Sequence, residues 1–292
     1  MNSADTHSTD ATDAVGVPPT PPEAHQKADL ENQFTQLLRE ALTQPGMINA
    51  AYRAFYPYSI GNQMLAALQL TMRGMPLSPI ASFNAWKNKG RRVRKGQKAI
   101  GLYMPVTVTH CQDKADTDHA AADDKESGGF TVFMLRNNWF SLDQTDGEPF
   151  APEQVVPSWD AATAMAALEV REVPFNDVRG NIPGYAMGRT IALNPLNVMK
   201  HKTRFHEIAH VVLGHTVDSE MVDEDVLSVS VMEAEAESVA YLLCALLDLP
   251  GQAQSRHYIQ HWLDGDALTE KSARRIFGAA DRIMKAGQPV MQ

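Results

Sequence analysis

Leu30, Phe34, Leu37, Leu38, Ala41 and Leu42 recur three and four residues apart, and Gly46 follows as a stop. That spacing predicts an amphipathic helix. A second helix is predicted from a cap at Ser59 to about Gly74. A third is predicted from Ser78-Pro79, a cap followed by proline in the first turn, to Gly90. Residues 100–109 and 130–136 read as strands. The charged, small-residue run 112–129 between them reads as a long mobile hairpin insert. The stretch from Pro149 to Pro157 reads as a boundary. Beyond it the pattern predicts a helix capped by Ser158, short strands near 172–175 and 189–193, and a helix from Lys200 to Leu213 stopped by Gly214. A long helix over about 225–247 and two closing helices near 253–263 and 269–285 complete the chain. Residues 1–27, rich in Ser, Thr, Asp and Pro, cannot bury enough apolar surface to offset their ordering entropy, so they are expected to be a disordered tail. The whole is an α+β pattern in two domains, 28–150 and 157–290.

Composition narrows the function classes. A length of 292 residues suits two modest domains. The formal net charge of −9 is not that of a chain that binds nucleic acid over its whole surface. Two cysteines, Cys111 and Cys244, exclude a disulfide framework and a cysteine zinc finger, and a cytoplasmic setting is expected. No apolar run approaches membrane-spanning length, so no membrane partner is expected. The polar, acidic N-terminus is unlike an export signal.

The densest chemistry lies in His206-Glu207-Ile208-Ala209-His210, an H-E-x-x-H pattern. Residues four apart share a helix face, so both imidazoles reach one metal ion, and Glu207 stands beside a bound water as its general base. A further protein ligand is needed. His215 follows, but its offset does not fit the metzincin pattern. Glu233 and Glu237 share a face of the next long helix. One of them can ligate while the other accepts a hydrogen bond from a ligating imidazole. Glu235 points about 160° away from that pair on a regular helix. Glu-rich helical runs are commonly solvated faces, but this helix is otherwise apolar, and carboxylates there need a partner such as a cation. His257 and His261 lack an accompanying carboxylate cluster and read as structural or surface residues. One of His257, Tyr258 or Tyr185 is a candidate donor to a substrate carbonyl. The strand near 189–193 is expected to offer its edge to a peptide.

Lys87, Lys89, Arg91, Arg92, Arg94, Lys95 and Lys98 form the strongest charge concentration in the chain, with Tyr58 and Trp86 among the nearby aromatics. Cations for phosphates and flat rings for unstacked bases are what single-stranded nucleic acid requires. A solvated basic loop beside core aromatics has the same composition.

The order of motifs resembles ArdC-type antirestriction proteins. Tyr58-Ser59-Ile60-Gly61-Asn62-Gln63-Met64-Leu65 with Gln69 is similar to that family's Y-S-x-x-N-x-x-L…Q element. Trp86, Gly90-Arg91, Val93 and Arg94-Lys95-Gly96-Gln97-Lys98 resemble its W…G-R-x-V-x-K-G-x-K element. Trp139 to Gly147 is similar to its F-D-x-S-Q-T-x-G close, with a departure at Ser141-Leu142-Asp143. Residues 206–215 and 233–241 resemble its zincin-like metallopeptidase domain. The resemblance implies a small helical and β-hairpin domain that binds single-stranded DNA, joined to a gluzincin-like peptidase domain. It also implies carriage on a plasmid or other mobile element, and protection of incoming DNA from host restriction. It further implies Glu233 as the ligand beside His206 and His210 and Glu237 as the residue behind the ligands. The expected cofactor is one divalent metal, zinc first with manganese as the alternative, because two imidazoles, a carboxylate and water accept both. A protein substrate, such as a restriction-system component, is a further expected partner. Two rivals remain: a regulatory peptidase that cleaves a repressor and grips protein with its N-terminal domain, and a DNA-binding module whose metal is structural.

Overall fold

The computed structural model describes residues 33–44, 46–108, 130–151, 158–176, 182–216, 227–264 and 268–289. The expected tail, the insert 112–129 and most of the 149–157 boundary lie outside the described residues.

Three helices lead: α1 (Gln33–Thr43), α2 (Met47–Phe55) and α3 (Ile60–Met72). α1 buries Leu37, Leu38, Ala41 and Leu42, the residues whose spacing predicted it. α2 escaped the sequence reading because nine residues hold too few turns for a periodic signal. β1 (Ile80–Ser82), β3 (Ile100–Val108) and β4 (Phe130–Ser141) form an antiparallel sheet in the order β1-β4-β3, which leaves one edge of β3 without a neighbouring strand among the described residues.

α3 closes that edge with two side-chain amides. Asn62 accepts from Tyr103 N at 2.8 Å and donates to Tyr103 O at 2.9 Å. Gln69, two turns further along, accepts from Gly101 N at 3.0 Å and donates to Gly101 O at 2.9 Å. The spacing of Asn62 and Gln69 thus matches alternate residues of β3, and their pairing satisfies backbone groups that would otherwise template another strand.

The helix predicted from Ser78 to Gly90 is corrected. Residues 80–82 are drawn into the sheet opposite Trp139–Ser141, and the helix α4 (Phe83–Asn88) starts only at Ser82, whose hydroxyl accepts from Ala85 N at 3.3 Å. Strand pairing outweighs the local proline signal. β2 (Arg91–Val93) and β5 (Thr145–Gly147) make a small antiparallel ribbon. Gly147 has φ 141° there, and a Cβ on it would meet Gly90 O at 2.4 Å, so the close approach requires glycine.

In the second half, α5 (Ala161–Ala167) is capped by Asp160 rather than the predicted Ser158; Asp160 accepts from Thr163 N at 2.7 Å. β6 (Arg171–Glu172), β7 (Gly184–Met187) and β8 (Thr190–Leu193) form a sheet in the order β6-β8-β7. The expectation that residues 189–193 offer a free edge is corrected: β8 is central, and β7 holds the edge. A two-residue turn with Gly188 at φ 56° folds β7 back onto β8 and occupies that side.

α6 (Lys200–Leu213) ends at Gly214 in the left-handed conformation, as its sequence predicts. α7 (Val229–Leu246), α8 (Gln252–Asp264) and α9 (Glu270–Ala286) follow. α7 is buried along most of its length and packs against α6, α8, α9 and α2. The N-terminal helices dock directly on the C-terminal ones. Tyr241 OH donates to Ala41 O at 3.2 Å, Asn49 Nδ2 to Leu246 O at 2.8 Å, and Thr35 N to Glu270 Oε2 at 3.0 Å. One continuous set of buried side chains therefore runs from Leu37 to Met284.

Candidate functional site

α6 carries His206 and His210 on one face, and α7 brings Glu233 opposite them. His206 Nε2 and His210 Nε2 are 3.1 Å apart. Glu233 Oε2 lies 3.3 Å from the first and its Oε1 lies 3.5 Å from the second. A tetrahedral ion with bonds of about 2.0–2.2 Å holds its ligand atoms roughly 3.3–3.6 Å apart. The three donors have the spacing and the chemistry for a divalent metal. They open onto a cleft of about 570 Å³, lined also by Gly184, Tyr185, Thr203, Met232 and Thr216.

The geometry separates the two carboxylates that the residues alone left interchangeable. Glu233 faces the Nε2 side of His206. Glu237 faces the opposite side: its Oε2 lies 3.2 Å from His206 Nδ1, and its Oε1 pairs with Lys202 Nζ at 2.6 Å. Lys202 is one turn before His206 on α6 and was not identified from sequence. The only available signal was a lysine four residues ahead of the H-E-x-x-H pattern.

Crowding these groups together shifts their proton affinities. Burial alone would pull His206 down, but hydrogen bonds and charge from Glu233 and Glu237 outweigh it and hold it at about 9. Burial, joined by the positive charge of His206, lowers His210 to about 4. Burial would raise Glu237, but His206, Lys202 and Ser255 outweigh it and bring it to about 2. Glu233 is lowered chiefly by its hydrogen bond to His206. Glu207 goes the other way: burial, aided by the Glu233 charge, raises it to about 7. It lies against β7, close enough that a Cβ on Gly184 would stand 3.1 Å from Glu207 Oε1 and 2.7 Å from Thr203 Cγ2.

His215 is not placed as a ligand. Gly214 turns the chain so that His215 Nδ1 lies 3.0 Å from His210 Nδ1, while His215 Nε2 lies 3.0 Å from Glu235 Oε2. Arg275 on α9 pairs with the same carboxylate oxygen at 3.2 Å. Glu235 does point away from Glu233 and Glu237, but into a buried ion network and not to solvent.

The candidate DNA-binding residues divide into two groups. Lys87, Lys89, Arg92, Lys95 and Lys98 are exposed around the β2–β5 ribbon. Lys89 Nζ also stands 5.1 Å from the Phe150 ring centre. Arg91 is spent on the fold: it donates to Thr145 Oγ1 at 2.8 Å, to Thr145 O at 3.1 Å and to the carbonyls of Gly147 and Glu148. Arg94 is exposed but pairs with Asp146 at 3.2 Å and donates to Asp143 O. Trp86 is only 1% exposed, donates from Nε1 to Phe140 O at 2.8 Å, and packs edge-on to Phe150. It is a core residue with no open face for a base. Tyr58 is half-buried and holds β1 through Ile80 O at 3.0 Å.

Among the candidate carbonyl donors, Tyr185 lines the cleft. Tyr258 is exposed and outside the cleft lining, and the His257 side chain lies outside what is described. His261 is exposed. No helix among the described residues is long and apolar enough to cross a membrane.

Residues 28–138 match the family described as the N-terminal domain of anti-restriction factor ArdC. No curated protein sequence matches the chain. Among solved structures, the Mn(II)-bound antirestriction ArdC protein from the R388 plasmid aligns over 90% of this chain and 100% of its own, with 20% identity and a TM-score of 0.53. The metal-free structure of that plasmid protein aligns over 87% and 94%, with 21% identity and a TM-score of 0.47. Residues 28–138 thus resemble that family's N-terminal domain, and the chain shares the mixed helix-and-sheet fold of the plasmid protein.

Proposed function

We propose that this ArdC-type chain is an antirestriction protein that protects incoming mobile-element DNA, holding single strands with its N-terminal half and acting on a peptide with a metal-dependent site in its gluzincin-like C-terminal half. The observation that carries the reading is the His206–His210–Glu233 triangle with Glu207 beside it in a cleft. A divalent ion held there supplies a Lewis acid that acidifies water and polarises a carbonyl. Zinc and manganese both suit two imidazoles and a carboxylate, and the related plasmid protein is described with Mn(II).

Each residue of the chain then has a task. Glu237, neutralised by Lys202, orients His206. Glu207 is drawn to its ionised form when a cation stands nearby, accepts the proton of the attacking water and passes it to the leaving amine. β7 is the edge strand of its sheet among the described residues, and Gly184, Tyr185 and Ala186 line the cleft, an arrangement suited to an extended peptide added as a further strand. In the N-terminal half, Lys87, Lys89, Arg92, Lys95 and Lys98 supply phosphate contacts.

A plasmid-transfer assay into a restricting host tests the link between the two halves. Glu207→Gln is expected to keep its metal and lose about 10²–10⁴ in peptide hydrolysis. If that variant still protects incoming DNA in full, proteolysis is not the mechanism, and shielding by the DNA-binding half takes its place. Binding of the full chain to single-stranded over duplex oligonucleotides, weakened by added salt and by Lys95→Ala with Lys98→Ala, tests that half on its own. Absence of binding at low salt would leave the regulatory-peptidase reading in possession.

A further inference from the structure

We propose that His215, anchored by Glu235 and Arg275, is a positioning residue that sets which nitrogen of His210 carries the hydrogen and so presents the His210 Nε2 lone pair to the metal site; this rests on the metal-site reading above.

The argument is one of hydrogen counting. A neutral imidazole has one N–H and one lone pair, and only the nitrogen without hydrogen can ligate. His210 Nε2 faces the donor triangle, 3.1 Å from His206 Nε2 and 3.5 Å from Glu233 Oε1. Its hydrogen must then reside on Nδ1. That atom is 3.0 Å from His215 Nδ1, which therefore has to accept. An accepting Nδ1 leaves the hydrogen of a neutral His215 on Nε2, which points at Glu235 Oε2, 3.0 Å away. A carboxylate accepts, so the chain of bonds ends consistently. The alternative tautomer of His215 would set an N–H against the His210 N–H and a lone pair against the carboxylate, with a bond from Arg275, 3.3 Å from Nε2, as its one compensation.

Glu235 fixes the direction of the chain because it is held ionised in a buried place. Its side chain is 0% exposed and that of His215 is 3% exposed. Arg275 donates to Glu235 Oε2 at 3.2 Å and is itself tethered to Leu213 O at 2.9 Å. A buried carboxylate without such a cation is costly, so the pairing has a physical reason beyond proximity. Arg275 also lies 3.3 Å from His215 Nε2, but in the tautomer assigned here that is donor against donor and contributes no bond.

The backbone makes the arrangement possible. Gly214, at φ 78°, ends α6 and reverses the chain, and His215 N donates to His210 O at 2.9 Å. The two rings are thereby brought to 5.1 Å between centres. The two imidazoles of the H-E-x-x-H pattern are thus backed differently: His206 directly by a carboxylate, His210 by a second imidazole that relays one.

The test uses the full chain. Long-range ¹H–¹⁵N correlation spectra of the metal-free protein report the tautomer of His210, and competition with a chromophoric chelator reports zinc affinity. Wild type is expected to show His210 with its hydrogen on Nδ1. His215→Phe keeps a ring of similar volume but removes the acceptor. It is expected to mix the two His210 tautomers and weaken zinc binding about 10–100-fold. His215→Gln, whose carbonyl can accept while its amide donates to Glu235, is expected to recover most of that affinity. Wild-type His210 with its hydrogen on Nε2 overturns the inference even if no variant folds. Unchanged zinc affinity in His215→Phe also overturns it, as does equal loss in both variants. Failure of the wild-type protein to bind zinc or manganese at all would instead strike the metal-site reading, and the tautomer measurement would still stand apart.

Discussion

Replacing Trp86 separates residues that build the N-terminal half from residues available to a nucleic acid. The indole is 1% exposed, bonded through Nε1 to Phe140 O at 2.8 Å, and packed against Phe150 with ring centres 5.3 Å apart. Trp86→Phe keeps most of the ring packing but strips a carbonyl of β4 of its donor, at a cost of about 1–3 kcal/mol. Trp86→Ala also leaves a cavity beside Phe150, and the total cost is about 3–5 kcal/mol. Urea unfolding followed by circular dichroism would measure both variants, with anisotropy of a labelled single-stranded oligonucleotide measured in parallel. The expected result is a graded loss of stability, Phe then Ala, while single-strand affinity measured well below the unfolding midpoint stays within a few-fold of wild type. By contrast, Lys95→Ala with Lys98→Ala should leave the midpoint unchanged and lower DNA affinity, because both side chains are exposed. An unchanged midpoint in Trp86→Ala together with a selective loss of single-strand binding would refute the reasoning, since it would put the ring on a base and not in the core.

Three further outcomes follow from the same geometry. Gly184→Ala would set a Cβ 2.7 Å from Thr203 Cγ2 and 2.9 Å from Ala192 O, so β7 must shift; a loss of about 1–3 kcal/mol in urea stability is expected, with reduced peptide hydrolysis because Glu207 Oε1 is only 3.1 Å away. In the metal-free protein Glu237 sits at about 2, below its ordinary 4.5. The stability it contributes is fully present above about 4.5 and is lost as pH falls through about 2. The raised His206 has the opposite sign, contributing fully below 6.5 and losing that contribution as pH rises through about 9. Urea midpoints from pH 5 to 2 should fall less steeply in Glu237→Gln than in wild type; equal slopes would contradict the assignment. Metal at a hundredfold excess over its dissociation constant should add about 2.7 kcal/mol to stability, reversed by a chelator. Glu233→Ala should abolish that gain and Glu237→Ala only reduce it, and the reverse order would exchange their roles.

Local patterns were enough to determine α6, from Lys200 to its stop at Gly214, and with it the shared face of His206 and His210. Helical period, capping and the H-E-x-x-H spacing act within a few residues and depend on nothing else in the chain. The strands at 100 and 130, and the exposure of Lys87, Lys89, Arg92, Lys95 and Lys98, were legible for the same reason. What required tertiary structure was everything decided by a partner distant in sequence. β1 replaced a predicted helix because Ile80–Ser82 met Trp139–Ser141. β8 lost its expected free edge because β7, which no local pattern announced, folded back upon it. Trp86 and Arg91 read as ligands for DNA by composition, yet carbonyls 54 residues away claim their donors. The sequence weighed His215 only as a further ligand and turned Glu235 away from the site; the crossing of α6, α7 and α9 brings the two together with Arg275 behind His210. Residue spacing along one helix sets which side chains share a face. The choice between ligand, support and core belongs to helices and strands that pack across long stretches of chain, where burial and hydrogen-bond satisfaction govern.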